Sequence, residues 1–505
     1  MNSLLTIAQM YRADSLAIAS GISGETLMEA AGAALADEIA ARWDSKVRIL
    51  ILCGPGNNGG DGYVVARLLD AKGYQVRVAS LVKTDQLTGD AATMAARWQG
   101  DVLDVSSGLP KNLISEIDLI VDCLFGAGLT RALEGVAAEI VAQVGQSGLP
   151  IVAVDLPSGV NGDTGAIVGI AFKASLTVTF FRKKPGHLLL PGRGHCGEVV
   201  VADIGIPSSV LDEIQPNIVE NTLSTWCPHL NHPNADDHKY TRGHAIVVSG
   251  GMTSTGAARL AARAALRIGA GAVTVASPPS ALAVNAANLT AIMLRRLDDE
   301  TTLTDMLADR RIKAVLIGPG NGIGPATRAN VLQALNSNAA IVLDADALTV
   351  FENDPDILFK AIAAHKFGPV IMTPHEGEFQ RLFNDIGRNI ESSTEDAGGK
   401  VGAAQAAARA SGATIIYKGA DSVIATPDGQ VAINANAPPW LATAGSGDVL
   451  SGFVAGLLAQ GMSAFGAACG ACWMHGEAGA RIGRGLIAED LSEIVPDIFR
   501  DIDPD

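Results

Sequence analysis

Short apolar runs that break into glycine-rich turns recur along this chain, and several lead into alanine-rich helical stretches. Val47–Cys53 runs into Gly54-Pro55-Gly56-Asn57-Asn58-Gly59-Gly60-Asp61-Gly62, Ala245–Val248 into Ser249-Gly250-Gly251, and Ala314–Ile317 into Gly318-Pro319-Gly320-Asn321-Gly322. Runs this short, apolar throughout, read as strands buried on both faces. Further strands are expected at Gln75–Leu81, Leu119–Cys123, Ile151–Asp155 and Ser175–Phe180, then at Val370–Met372 and Ala413–Tyr417. Thr6–Gly21, Gly24–Trp43, Tyr63–Lys72 and Ala258–Ile268 read as helices. Strands alternating with helices predict an α/β chain, its parallel sheets wrapped by helices on both sides. A length of 505 residues, 48% of them hydrophobic, fills more than one core. Two domains are expected, 1–226 and 238–505. Between them, 227–237 (CPHLNHPNADD) mixes Pro, Asn, His and Asp without an apolar period and reads as a linker.

The formal charge of −16 argues against a nucleic-acid partner or an anionic membrane surface. The N-terminus lacks the basic and apolar segments of a secretion signal, and glycines, Gln460 and His475 interrupt the most membrane-like run, Val449–His475. Six scattered cysteines fit a reducing cytoplasm. Cys469 and Cys472 have redox-motif spacing but lie in an apolar helical pattern, so they read as core. His229 and His232 read as solvated linker residues. Ala-rich apolar helices permit a homo-oligomer, which is expected.

The chemistry concentrates at strand ends. Asp122 and Asp155 each close a predicted strand before a flexible loop, where open α/β sheets place their ligands. Gly54–Gly59 satisfies G-x-G-x-x-G, but no acidic residue ends the next strand, and Asn57, Asn58 and Asp61 continue the loop as polar. A hydride-transfer domain is therefore disfavoured. In the second half, Thr443–Gly452 sets Gly445, Ser446 and Gly447 before Asp448 and an apolar helix. This sequence can form a backbone nest for an oxyanion, with a carboxylate in the helix's first turn. The plainer reading is a glycine turn with a capping aspartate. Lys418, at a strand end before glycine, suits a phosphate; Asp344 and Asp346 close a strand; His375 reads as a site residue or a helix cap.

Taken together, Cys53–Gly62, Val121–Leu129, Asp155-Leu-Pro-Ser-Gly-Val-Asn161-Gly162, Lys184-Pro185-Gly186 and Asp203–Pro207 resemble the NAD(P)H-hydrate epimerase domain. The resemblance implies a Rossmann-like sandwich with substrate contacts from Asn57, Asn58, Gly59, Gly60, Asp61, Asp155 and the loop Gly126, Ala127, Gly128, Leu129, Thr130, Arg131, Ala132. It also implies potassium on Asn58, Asp122 and Ser158. Asp155 is expected as the acid/base at C6 of the hydrated ring, or as the group that only orients it.

From Lys239 to Leu491 the chain resembles the NAD(P)H-hydrate dehydratases, a branch of the ribokinase-like fold. Pro374-His375-Glu376-Gly377-Glu378 and Ala444–Asp448 are the sharpest marks. That resemblance implies substrate contacts from Ala257, Gly322, His375 and Asp448, and nucleotide contacts from Lys418, Gly419, Ala420, Asp421, Ser422 and Gly447. It further implies an anion hole at Gly445–Gly447, Asp448 as catalytic base, and ADP with Mg²⁺ as co-substrate, leaving AMP and phosphate. The expected substrates are NADHX and NADPHX. A vitamin or sugar kinase fused to a non-catalytic binding module is the rival reading. Ala437–Ala442 departs from the family's usual Gly-Met-Ala before the anion hole.

Overall fold

In the computed structural model the chain is described from residue 2 to 502, apart from 111, 130, 233, 235 and 388–397. Thr130 and two positions of the linker, Pro233 and Ala235, therefore lie outside the described residues. The chain divides into two compact units, Ser3–Asn217 and Ile218 onward.

The first unit holds a fully parallel sheet. Its spatial order is Val102–Asp104, Gln75–Ser80, Arg48–Cys53, Leu119–Cys123, Ile151–Val154, Leu176–Phe180 and Glu198–Ala202. Alternate residues of Arg48–Cys53 enter two cores. Ile49, Ile51 and Cys53 pack with the helices Ile7–Ala19, Gly24–Arg42 and Asn57–Ala71, whereas Leu50 and Leu52 pack with Gly135–Gly145. Each fully buried aliphatic side chain stabilises by about 1.5–3 kcal/mol, so a sheet with both faces covered requires the unbroken apolar runs seen in the sequence.

Strand order reverses between Arg48–Cys53 and Leu119–Cys123. There Gly54 N–H donates to Cys123 O at 3.0 Å, and any side chain on Gly54 would collide with Leu124 O. The following helix starts at Asn57, not at Tyr63 as the apolar pattern suggested. Gly59 packs on the Gly54 carbonyl and Gly62 on Cys53 and Cys123, so a helix built from these glycines lies close on the strand. Asn57, Asn58 and Asp61 are consequently residues of its first turns.

The second unit's sheet includes Ile218–Glu220, Val431–Asn434, Ser422–Ala425, Thr414–Tyr417, Val370–Met372, Ala340–Leu343, Ile312–Ile317, His244–Val248, Ala272–Ser277 and Met293–Arg296, in that order. Thr414–Asn434 forms an antiparallel meander within it, and the other pairings among these strands are parallel. Residues 218–226, assigned from sequence to the first domain, belong here: Ile218–Glu220 pairs with Val431–Ile433, and Trp226 is buried in this core. The boundary falls earlier than composition suggested because a short strand and one buried indole carry no compositional mark.

Again the order reverses where glycines meet, since a side chain on Gly250 would collide with Gly320 O. The helices Thr255–Arg267 and Ser446–Ala459 cross closely, because Gly452 and Gly456 abut the backbone of Ala261 and Ala265. That crossing brings the N-terminus of Ser446–Ala459 to the carboxyl ends of the strands. Among the described residues no helix is long and apolar enough to cross a membrane.

Candidate active sites

In the first unit the switch point opens into a cavity of about 560 Å³. Its walls include Asn57, Asn58 and Asp61 from the glycine-rich helix start, Gly126–Leu129 and Arg131 from the loop after Leu119–Cys123, and Asp155 with Lys184 at the base. Tyr11 Oη lies against Gly128. Gly59 and Gly60 are buried beneath the wall, and Ala132 is not among the lining residues.

Asp155 follows the strand Ile151–Val154 with φ +65°, a left-handed conformation uncommon for a residue other than glycine. Its main chain is secured by Asp155 N–H donating to Val178 O at 2.8 Å, and by a 2.7 Å hydrogen bond between its carbonyl and His187 Nε2. Its Oδ1 accepts from Lys184 Nζ at 2.5 Å and Thr179 Oγ1 at 2.8 Å. Burial would push this carboxyl up, but the Lys184 charge and hydrogen bond hold it below the ordinary range. Asp61 goes the other way: burial, aided by Asp155 and Asp14, raises it well above that range. The cavity thus holds one carboxyl pulled down, Asp155, and two pushed up, Asp61 and Asp14.

Asp122 is completely buried behind this cavity. It accepts from Ser158 N–H at 2.7 Å, Ser158 Oγ at 2.6 Å and Leu124 N–H at 3.1 Å. Ser158 Oγ also reaches Phe125 O at 3.0 Å, and the side-chain nitrogen of Asn58 is buried without a hydrogen-bond partner.

In the second unit Gly445 caps the helix Ser446–Ala459 with φ +85°, and Asp448 sits in the first turn, as the sequence predicted. His475 Nε2 lies 3.0 Å from both Ser446 Oγ and Ser446 O, fixing the residue at the centre of the glycine turn. Burial lowers that imidazole to about 4, leaving it neutral at pH 7. Lys418 Nζ stands 2.7 Å from Asp344 Oδ1 and 3.8 Å from Glu378 Oε2, beside Gly447. Burial and the Asp344 charge raise Asp448 to about 6, against the opposing pull of Lys418. A carboxyl, a lysine and the N-terminal N–H groups of a helix therefore meet at one point.

The remaining expected residues are held by local contacts. Asp346 accepts from Gly322 N–H at 2.7 Å, and Ala257 packs toward Gly320. His375 is a half-exposed cap whose Nδ1 accepts from Gly377 N–H at 2.9 Å. The Lys418–Ser422 segment is a tight turn closed by Ser422 Oγ donating to Gly419 O at 2.8 Å, and Ser422 already begins a strand. Sequence reasoning missed Lys184 and His475 as site residues, and also Lys400, which bonds Asp421 at 2.6 Å under the Gly419 turn. Cys469 and Cys472 are buried free thiols in the second unit's core, pushed up by burial.

Residues 24–186 match the family described as YjeF-related protein N-terminus, and residues 245–497 match NAD(P)H-hydrate dehydratase. The bifunctional NAD(P)H-hydrate repair enzyme Nnr of Moorella thermoacetica is 37% identical, covering 99% of this chain and 97% of its own. That of Salinibacter ruber is 35% identical, covering 98% and 95%. Among solved structures, the ADP/ATP-dependent NAD(P)H-hydrate dehydratase of Bacillus subtilis is 27% identical. It covers 56% of this chain and 98% of its own, with a TM-score of 0.48. Agreement with these relatives over nearly the full length places the chain in the family of bifunctional NAD(P)H-hydrate repair enzymes.

Proposed function

We propose that the first unit interconverts the C6 epimers of NADHX and NADPHX and that the second dehydrates the S epimer with ADP. The observation that carries the second half is Asp448 in the first turn of Ser446–Ala459 beside Lys418. Asp448 takes the proton of the C6 hydroxyl, and that oxygen attacks the terminal phosphorus of ADP as AMP leaves. The N–H groups at Gly445–Gly447 and the Lys418 ammonium stabilise the charge on the phosphoryl oxygens. The ring nitrogen then expels the phosphate from C6, and loss of a C5 proton gives NAD(P)H. Asp344, Glu378 and Asp448 outnumber Lys418 in negative charge, which suits a nucleotide arriving with Mg²⁺. When bound, Mg²⁺ supplies further neutralisation of the phosphates.

In the first unit Asp155, ionised against Lys184, is the acid/base at C6. One buried carboxylate, a hydroxyl, a carbonyl and an amide form a hard-oxygen set of low charge at Asp122, Ser158, Phe125 and Asn58. This oxygen donor set fits potassium, with Asn58 contributing its side-chain carbonyl oxygen. No group of three or more His, Cys, Asp or Glu suited to a metal occurs among the described residues. When bound, the ion would tie the loop after Leu119–Cys123 to the start of the Asn57–Ala71 helix.

The test follows NAD(P)H absorbance on an epimeric NADPHX mixture with Mg²⁺, supplying ADP or ATP. Complete conversion with AMP and phosphate from ADP is expected. Conversion stopping near half would remove the epimerase reading, and a product that keeps its phosphate would make the second unit a kinase.

A further inference from the structure

Epimerisation at C6 needs a second proton-transfer group. C6 carries a hydroxyl and ring nitrogen N1, so the stereocentre is lost most simply by opening the ring. The hydroxyl proton leaves to a base, C6=O forms, the C6–N1 bond breaks, and N1 takes a proton from an acid. Rotation about C5–C6 and the reverse transfers close the ring on the other face, with no net change in protons or electrons. Asp155, held ionised by Lys184, suits the base but not the acid.

We infer that Asp14, on the helix Ile7–Ala19, is the general acid that serves N1 opposite Asp155. The inference rests on the epimerase reading of the first unit. Ile7–Ala19 precedes the stretch matched by the first unit's family model, 24–186. The helix is held rigidly. Thr6 and Gln9 form a reciprocal capping box, Ile7 N–H donates to Asp163 Oδ1 at 2.8 Å, and Ala13 and Ala17 are fully buried in the core. Its other face, with Met10, Tyr11, Asp14 and Ile18, lines the cavity that Asp155 closes.

Asp14 is half-buried, and burial raises it to about 6. Lys184 lowers it and Asp155 raises it, so it feels both charges at the cavity base. The other titratable groups on the wall are Tyr11, Asp61, Asp90, Arg131, Asp155 and Lys184. Asp61 is the competing acid, but it is the more deeply buried of the two.

The experiment uses the full chain and one purified NADPHX epimer with nucleotide omitted, so that dehydration is silent and interconversion is read by NMR. Asp14→Asn is expected to lower kcat by about 100-fold or more, with KM within about threefold and dehydration of the S epimer unchanged. If Asp14→Asn does not fold, Asp14→Glu decides: a displaced alkaline limb of the kcat–pH profile supports the assignment, and an unmoved limb overturns it. Full activity in Asp14→Asn alongside an inactive Asp155→Asn overturns this inference alone. The same holds if Asp61→Asn produces the loss instead. A wild-type chain that leaves the epimer unchanged overturns the underlying reading and the inference together.

Discussion

Lys184 Nζ donates to Asp155 Oδ1 at 2.5 Å from a position only 1% exposed, and so sets the charge state of the first unit's cavity. Lys184→Met would leave Asp155 to the desolvation that now opposes it, and its pKa would rise. The acidic limb of epimer interconversion is expected to move up by about one to two pH units, so that kcat is lost at acidic pH while Asp155 stays ionised near neutrality. Lys184→Arg should rescue only in part, since a planar guanidinium does not reproduce the ammonium's paired contacts with Asp155 and Thr179. A pH profile of kcat on one purified epimer checks both.

Asp448 carries a cost in stability that its chemistry requires. Its folded pKa, about 6, lies above the unfolded value, so the native state binds more protons between about pH 4 and 6. Stability contributed at low pH is lost as pH rises through that window. Asp448→Asn is therefore expected to abolish dehydration while leaving the second unit as stable at pH 7, or up to about 2–3 kcal/mol more stable. In the unmodified chain, kcat/KM for dehydration should fall below about pH 6 as the base protonates. Thermal melts at pH 4 and pH 7, with a kcat/KM profile, test the pair of claims.

Lys418 neutralises Asp344, which is 1% exposed. Lys418→Met strands that carboxylate in the core and should cost the second unit about 3–5 kcal/mol. Adding Asp344→Asn should restore much of the stability but none of the dehydration, because the phosphate-facing cation is still missing. A double-mutant cycle of melting temperatures, read beside activity, separates the two roles.

Two neighbouring glycines should behave oppositely. A side chain on Gly59 collides with the Gly54 backbone, which cannot yield, whereas one on Gly56 meets nothing within 4 Å. Gly59→Ala is expected to destabilise the first unit by about 2 kcal/mol or more and to reduce epimer interconversion; Gly56→Ala should leave stability within about 0.5 kcal/mol. Thermal unfolding of both variants decides it.

Much of this was legible in the chain. Apolar runs ending in glycine announce strands buried on both faces, because only a doubly covered sheet needs unbroken apolar stretches. The positions of Asp122, Asp155, Lys418 and Asp448 follow from strand ends and helix starts, which are local properties. Helix periodicity misjudged the start of Asn57–Ala71, since glycines chosen for close packing carry no apolar period.

What the sequence by itself determined is the alternating pattern, the glycine turns and the type of residue at each strand end, all of them set by local geometry. Only the tertiary structure decided which charges meet. Lys184 faces Asp155 across 29 positions because Leu176–Phe180 lies beside Ile151–Val154 in the sheet. His475 reaches Ser446 because two apolar helices pack together. Asp14 faces the cavity because an alanine face anchors its helix to the core. Such pairings depend on strand order and helix packing, which no local window of sequence encodes.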